Sequence, residues 1–200
     1  MRNFGAESAA QLVSGIGRGS WIMSGALPPG GGARASFTEL MEGYDEEKKV
    51  LDVREKGFGD IGDVEICVGV ETVWAGGNTL TPTVFELLVH TLKVLDLSRN
   101  DLVSLDGLRA FEVLMVLDVS GNKLEKDQVL AAHPFPATLV SLDVSTNVGR
   151  DGSVWELDEQ EEDVVFDLLP RLVDLQSGSG DPVDYGVEDF MIEDRLGPAA

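Results

Sequence analysis

One cysteine, two histidines and 36 carboxylates are the groups from which nucleophilic, metal or acid–base chemistry would have to be built in this 200-residue sequence. Cys67 is the single cysteine, so no intramolecular disulfide is open to it. Its neighbours Val64, Ile66 and Val68 make an apolar stretch in which structural thiols are common, as expected of a reducing compartment. His90 and His133 lie far apart, with no metal-ligand spacing around either. GIGRGS at 15–20 is rich in glycine but lacks the Lys-Ser or Lys-Thr of a phosphate loop, and no GxSxG elbow occurs. Catalytic residues, cofactors and metals are therefore all expected to be absent.

Some acids nevertheless recur at one phase of a period: Asp52 in LDV, Asp96 in LDLS, Asp118 in LDVS and Asp143 in a second LDVS. Stacked in register, such acids form a column of like charge that favours a cation. Whether they stack depends on the elements that carry them.

Those elements are internal repeats. The pattern LxxLxLxxNxL is met by Leu92, Leu95, Leu97, Asn100 and Leu102, and again by Leu114, Leu117, Val119, Asn122 and Leu124. A third copy is Leu139, Leu142, Val144 and Asn147, followed by Val148 or Gly149. Weaker copies precede them at Val70, Val73, Ala75, Asn78 and Leu80, and at Leu51, Val53 and Phe58, where Lys56 replaces the asparagine. Five units thus cover 48–150. Residues two apart share a strand face, and the asparagine side chain can bond backbone groups that the turn leaves unpaired. Asn78, Asn100, Asn122 and Asn147 read as a structural ladder. Since no unit can bury its apolar side alone, the fold class is an α/β solenoid with a curved parallel sheet. Its convex side is short helix or 3₁₀ turn, because Leu102, Leu105, Leu108, Phe111 and Leu114 recur every three residues. TPTVFELLVHT and the longer insert after Leu124 should be helical there, with Val84, Leu87, Leu88, Val129 and Leu130 inward.

Both solenoid ends need covers. Ser36 and Glu39 form a capping-box pair opening a helix expected over 36–49. The segment 151–176 should close the other end, giving a repeat domain over 36–176 between an arm at 1–35 and an acidic tail at 177–200. The VVFDLLPRLVDLQ stretch, with Leu169, Pro170, Leu172 and Leu175, resembles the LPxLxxLD cap of the 22-residue leucine-rich-repeat class typified by the protein phosphatase 1 regulatory subunit. Gln176 stands where that class has aspartate. The class also includes the leucine-rich light chain of outer-arm dynein and the spliceosomal A-prime protein. The resemblance implies protein binding without catalysis, in the cytoplasm or on cytoskeletal or ciliary assemblies.

Alternation puts Asp52, Trp74, Asp96, Asp118 and Asp143 in one concave column, flanked by Val50, Thr72, Val94, Val116 and Ser141 on one side and Arg54, Gly76, Ser98, Ser120 and Ser145 on the other. Trp74, Val94, Val116 and Met115 are expected to make an apolar centre, with Gly76 and Gly77 keeping space around an exposed Trp74 and the aspartates selecting basic groups. Two plainer readings stand beside this one: the aspartates as solvated strand residues, and Trp74 as covered by the N-terminal arm.

The expected partner is a protein with a basic and apolar segment, within a hetero-complex. A formal charge of −21 repels phosphate backbones and anionic lipid, arguing against direct nucleic-acid or membrane binding. The alternative function is an acidic chaperone or regulator of basic proteins such as histones, in the nucleus, or a phosphatase regulator. Three arginines and one acid in the first 36 residues make that segment a docking arm or, alternatively, a mitochondrial targeting sequence. The tail, with Val183, Tyr185, Val187, Phe190, Met191 and Ile192 among its acids, could lie along the solenoid or on a partner.

Overall fold

The computed structural model describes residues 32–179 apart from 63, 65, 66, 68, 132 and 133. Nine short strands occur among the described residues: β1 (Ala33–Arg34), β2 (Tyr44–Asp45), β3 (Val50–Asp52), β4 (Phe58–Asp60), β5 (Thr72–Trp74), β6 (Val94–Asp96), β7 (Val116–Asp118), β8 (Ser141–Asp143) and β9 (Asp174–Gln176). The five repeat strands β3, β5, β6, β7 and β8 pair in parallel in sequence order. Their register is that of the repeat alignment, with Leu51, Val73, Leu95, Leu117 and Leu142 side by side. All five are buried, as are the second core residues Val53, Ala75, Leu97, Val119 and Val144. The result is an α/β solenoid in which short parallel strands alternate with short helical and 3₁₀ turns.

On the convex side the three-residue rhythm holds: Leu102, Leu105, Leu108, Phe111 and Leu114 are buried, and so are Phe58, Ile61, Val64, Cys67 and Val70. TPTVFELLVHT forms a 3₁₀ helix over Pro82–Leu88. Its period of three turns Pro82, Phe85 and Leu88 inward and leaves Leu87 66% exposed, correcting the expected inward packing of Leu87. In the longer insert a helix runs over Lys126–Leu130, with Val129 buried and Leu130 half-buried as expected.

Both ends are covered. Ser36 and Glu39 make a reciprocal capping box on a helix spanning Phe37–Gly43, shorter than the expected 36–49. The helix stops where a Cβ on Gly43 would fall 2.2 Å from the Asp52 carbonyl oxygen. The chain then turns into β2, which lies antiparallel on β3 and closes the sheet edge. β1 pairs with β4, so the last residues of the expected arm belong to the fold; the arm before them lies outside the described residues.

At the other end the acidic run ELDEQEED (156–163) opens a helix. Asp158 caps a helix over Glu159–Leu168 and Glu159, Glu161 and Glu162 fill its first turn, where the helix dipole favours negative charge. Trp155 Nε1 donates to the Leu124 carbonyl at 2.7 Å, tying this cap to the last repeats. Leu169 and Leu172 are buried, Leu175 is half-buried and Pro170 is exposed. β9 then adds a sixth parallel strand to the sheet. Most of the acidic tail, including its apolar residues, lies outside the described residues.

The asparagines join each unit to the one before. Asn122 Nδ2 donates to the carbonyls of Val119 and Ser120 in its own turn and of Leu97 in the preceding repeat, at 2.9, 3.0 and 2.9 Å. Its Oδ1 accepts from Leu102 N at 3.0 Å. Asn100 repeats the pattern on Leu97, Ser98, Ala75 and Leu80. Asn78 and Asn147 do the same in their own turns, and all four side chains are buried. One residue before each asparagine the backbone is left-handed, at Gly77 and Gly121 but also at Arg99 and Thr146.

Replacing Asn122 by Ala strands buried donors and acceptors at once and should cost about 3 kcal/mol or more, read from the urea midpoint. Thr146, β-branched at φ 52 and with a buried Oγ1 lacking a hydrogen-bond partner, is the strained turn. Thr146→Gly should raise stability by about 1 kcal/mol in the same assay, because only glycine adopts this φ without a Cβ penalty.

Candidate partner-binding face

In each strand the residues flanking the buried leucine or valine emerge together on the concave side. Pairing sets Asp52, Trp74, Asp96, Asp118 and Asp143 in one column and continues it with Gln176. The adjacent column reads Val50, Thr72, Val94, Val116, Ser141 and Asp174. Trp74, Val94 and Val116 pack as an apolar cluster separate from the main core, with Val50 and Met115 against it. The four residues expected at an apolar centre therefore belong to one cluster.

Their exposure departs from expectation. Trp74 is only 3% exposed, and Asp96, Asp118 and Asp143 only 7%, 6% and 2%. The expectation of an open tryptophan, and the reading of these acids as solvated strand residues, are both corrected. The physical reason for the acids is local. Alternate amides at the strand exit bond to the next repeat, as Leu97 N does to the Asp118 carbonyl and Arg99 N to the Ser120 carbonyl. The amide between them turns away, and the aspartate two residues earlier takes it: Ser98 N to Asp96, Ser120 N to Asp118 and Ser145 N to Asp143, each Oδ1 at 2.8 Å. Asp52 does the same for Arg54 N at 3.1 Å but remains half-exposed.

The Leucine Rich repeat family model matches residues 90–111, one unit that includes β6. With that match inside a ladder of parallel strands, the assignment follows. The chain is a leucine-rich-repeat protein. No curated protein matches the sequence. Leucine-rich-repeat domains are generally protein-interaction modules and typically non-catalytic. Among the described residues, no helix is long and apolar enough to cross a membrane, and no group of three or more His, Cys, Asp or Glu is placed to hold a metal; His133 lies outside them.

The leucine-rich-repeat face has an uneven electrostatic profile along its length. Near its N-terminal end Arg54 grips Asp52 through Nε at 3.0 Å and Nη2 at 2.7 Å, while its guanidinium lies 5.8 Å from the centre of the Trp74 ring. Burial acts to raise the Asp52 carboxyl, but the Arg54 bonds and charge prevail and hold it below its usual value. Sequence reading put Arg54 in a flanking column without a role; its signal was the Asp-x-Arg spacing beside a tryptophan. Gly76 is also reassigned. A Cβ there would come 2.7 Å from Ser98 Oγ and 2.9 Å from Asp96 Oδ2, so this glycine makes room for the acid rather than for Trp74. Gly77 has φ 71 and serves the left-handed turn.

Farther along, burial pushes the carboxyls of Asp96 and Asp143 up. Burial, with the charges of Asp143 and Asp96, pushes Asp118 up to about 7. Asp143 Oδ2 is buried with no hydrogen-bond partner. A carboxyl whose pKa is higher in the folded state stabilises that state below its unfolded value of 3.8, and the stabilisation is lost as pH rises through about 7. Between pH 4.5 and 8 the protein should therefore lose stability. The depressed, exposed carboxyls such as Glu39 and Glu161 act the other way only below their ordinary 4.5. Asp118→Asn keeps an oxygen for Ser120 N and removes the charge. It should flatten the decline and gain on the order of 4 kcal/mol at pH 8, at roughly 1.4 kcal/mol per pH unit, as measured by urea unfolding across that range.

Proposed function

We propose that this protein is a non-enzymatic adaptor or subunit of a hetero-complex, and that its concave face binds a partner segment carrying both basic and apolar groups. The observation that supports this reading most directly is the row of buried acids Asp96, Asp118 and Asp143 beside the Trp74, Val94 and Val116 cluster. One oxygen of each carboxylate serves the fold. The charge itself is held back by burial, and Asp143 Oδ2 has nothing to accept from. An arginine or lysine brought to the row would favour ionisation of carboxyls already desolvated and pair with them, while its apolar neighbours met the cluster. Asp52 is committed to Arg54 and lies at the edge of this surface.

The 22-residue spacing and the Leu169, Pro170, Leu172 and Leu175 pattern support membership of the class typified by the protein phosphatase 1 regulatory subunit. A free, buried Cys67 fits a reducing compartment such as the cytoplasm.

The test is partner recovery from native extract with the full chain and a Trp74→Ala/Asp96→Asn double variant whose circular dichroism matches the parent. One stoichiometric partner should be lost or bound at least tenfold more weakly by the variant. Its affinity for the parent should also rise between pH 6 and 8, as Asp118 ionises. Unchanged recovery would overturn the concave-face reading, and salt-sensitive capture of histones without a stoichiometric partner would support an acidic chaperone instead.

A further inference from the structure

The burial of the concave face exceeds what the face can supply. A tryptophan on an open sheet, with one neighbour on either side, keeps part of its ring in water. Trp74 is 3% exposed, and Val94, on the central strand of the sheet between Thr72 and Val116, is 2% exposed. The apolar groups clustered with them are Val116, Val50 and Met115, and the Arg54 guanidinium lies over the Trp74 ring, all from the same face. Among the described elements, β5, β6 and β7 make their main contacts with their neighbours in the sheet. Something outside the described residues is needed to complete the cover.

We propose that the occupant is the N-terminal segment 1–31 of the same chain, seated through Arg18 and the apolar run Trp21, Ile22 and Met23. Charge selects it. Residues 1–31 contain Arg2 and Arg18 against the single acid Glu7, whereas the remainder of the chain holds 13 basic and 35 acidic residues. The other terminal segment, 180–200, has six acids and one arginine and would set like charge against Asp96, Asp118 and Asp143. Pattern selects it too. A cation three residues before an apolar trio matches a face on which the acidic column runs beside an apolar one. Reach permits it: Gly32 leads into β1, which pairs with β4 outside the concave sheet, and the chain from Met23 to that point can span roughly 30 Å when extended, enough for the step from β4 to the face and for part of the roughly 15 Å of strand spacings from β3 to β7.

The segment then occupies the surface assigned above to a partner, and a partner must displace it. Partner affinity at this face is set by competition with a tethered, and hence locally concentrated, cationic strand. The inference concerns the same face as the partner reading but needs no partner to exist, so each can fail alone.

The experiment uses the full chain with a nitroxide on Ser24→Cys, the native Cys67 being fully buried. Amide signals of Trp74, Val94, Val116 and Asp118 should lose more than half their intensity, and adding Arg18→Glu should restore them. Isotope-labelled protein without the nitroxide, mixed with unlabelled protein carrying it, should show no loss. Unaffected β5–β7 signals would overturn the proposal. So would loss in the mixed sample, which identifies a second copy, or loss from a nitroxide on Gly186→Cys in place of Ser24→Cys, which identifies the C-terminal segment.

Discussion

Everything in this fold depends on a side-chain amide standing in for backbone. At the strand exit each repeat turns through a left-handed residue and leaves carbonyls and amides that the next strand cannot reach. An asparagine satisfies them from inside, and because its Nδ2 also reaches the repeat before, the same group that closes one turn joins two units. Buried polar groups are costly unless paired. The ladder turns that cost into a constraint on register, since a slipped repeat would strand several groups together. The leucines supply the driving force for stacking, and the asparagines decide which stacking is allowed.

The aspartate column is a second ladder of the same kind, with a conflict built in. Each carboxylate bonds the one strand-exit amide that neither neighbour takes. A neutral acceptor would do this as well. The carboxylates bring charge into a face where Asp96, Asp118 and Asp143 are stacked and buried, and their ionisation is held back. Only at the first repeat is the conflict relieved within the described face, where Arg54 pairs with Asp52 and lies over Trp74. A cation from elsewhere, whether carried by the chain's own arginine-bearing segment or by a partner, meets a surface with a standing electrostatic reason to take it.

The ends obey a different rule from the middle. Interior strands are paired on both sides, but a solenoid must end on edges short enough not to invite further pairing, as the two-residue β2 and three-residue β9 do. Here the first repeat strand is covered by an antiparallel turn of chain from the capping helix, and the last repeat strand by a sixth parallel strand following a helix with acids in its first turn. Trp155 fixes that second cover to the Leu124 carbonyl, so the cap is hydrogen-bonded to the repeats as well as packed on them.

The sequence by itself determined the repeat register, the identity of the core leucines, the asparagine ladder and the order of residues along the concave columns, because each follows from a period that local geometry imposes. It also determined where covers were required. The tertiary structure alone decided how those residues stand. The 3₁₀ period in Pro82–Leu88 turned Phe85 inward and Leu87 outward, a choice between periods of three and nearly four that a seven-residue apolar stretch does not settle. The first helix ends where Gly43 lies close against the Asp52 carbonyl, an approach between residues nine apart in sequence that only a glycine allows. The burial of Trp74 and of the three acids, and hence their altered ionisation, depends on what lies above the sheet and beside each strand. Periodicity specifies direction; burial and electrostatics are sums over neighbours from many parts of the chain, and those sums exist only once it has folded.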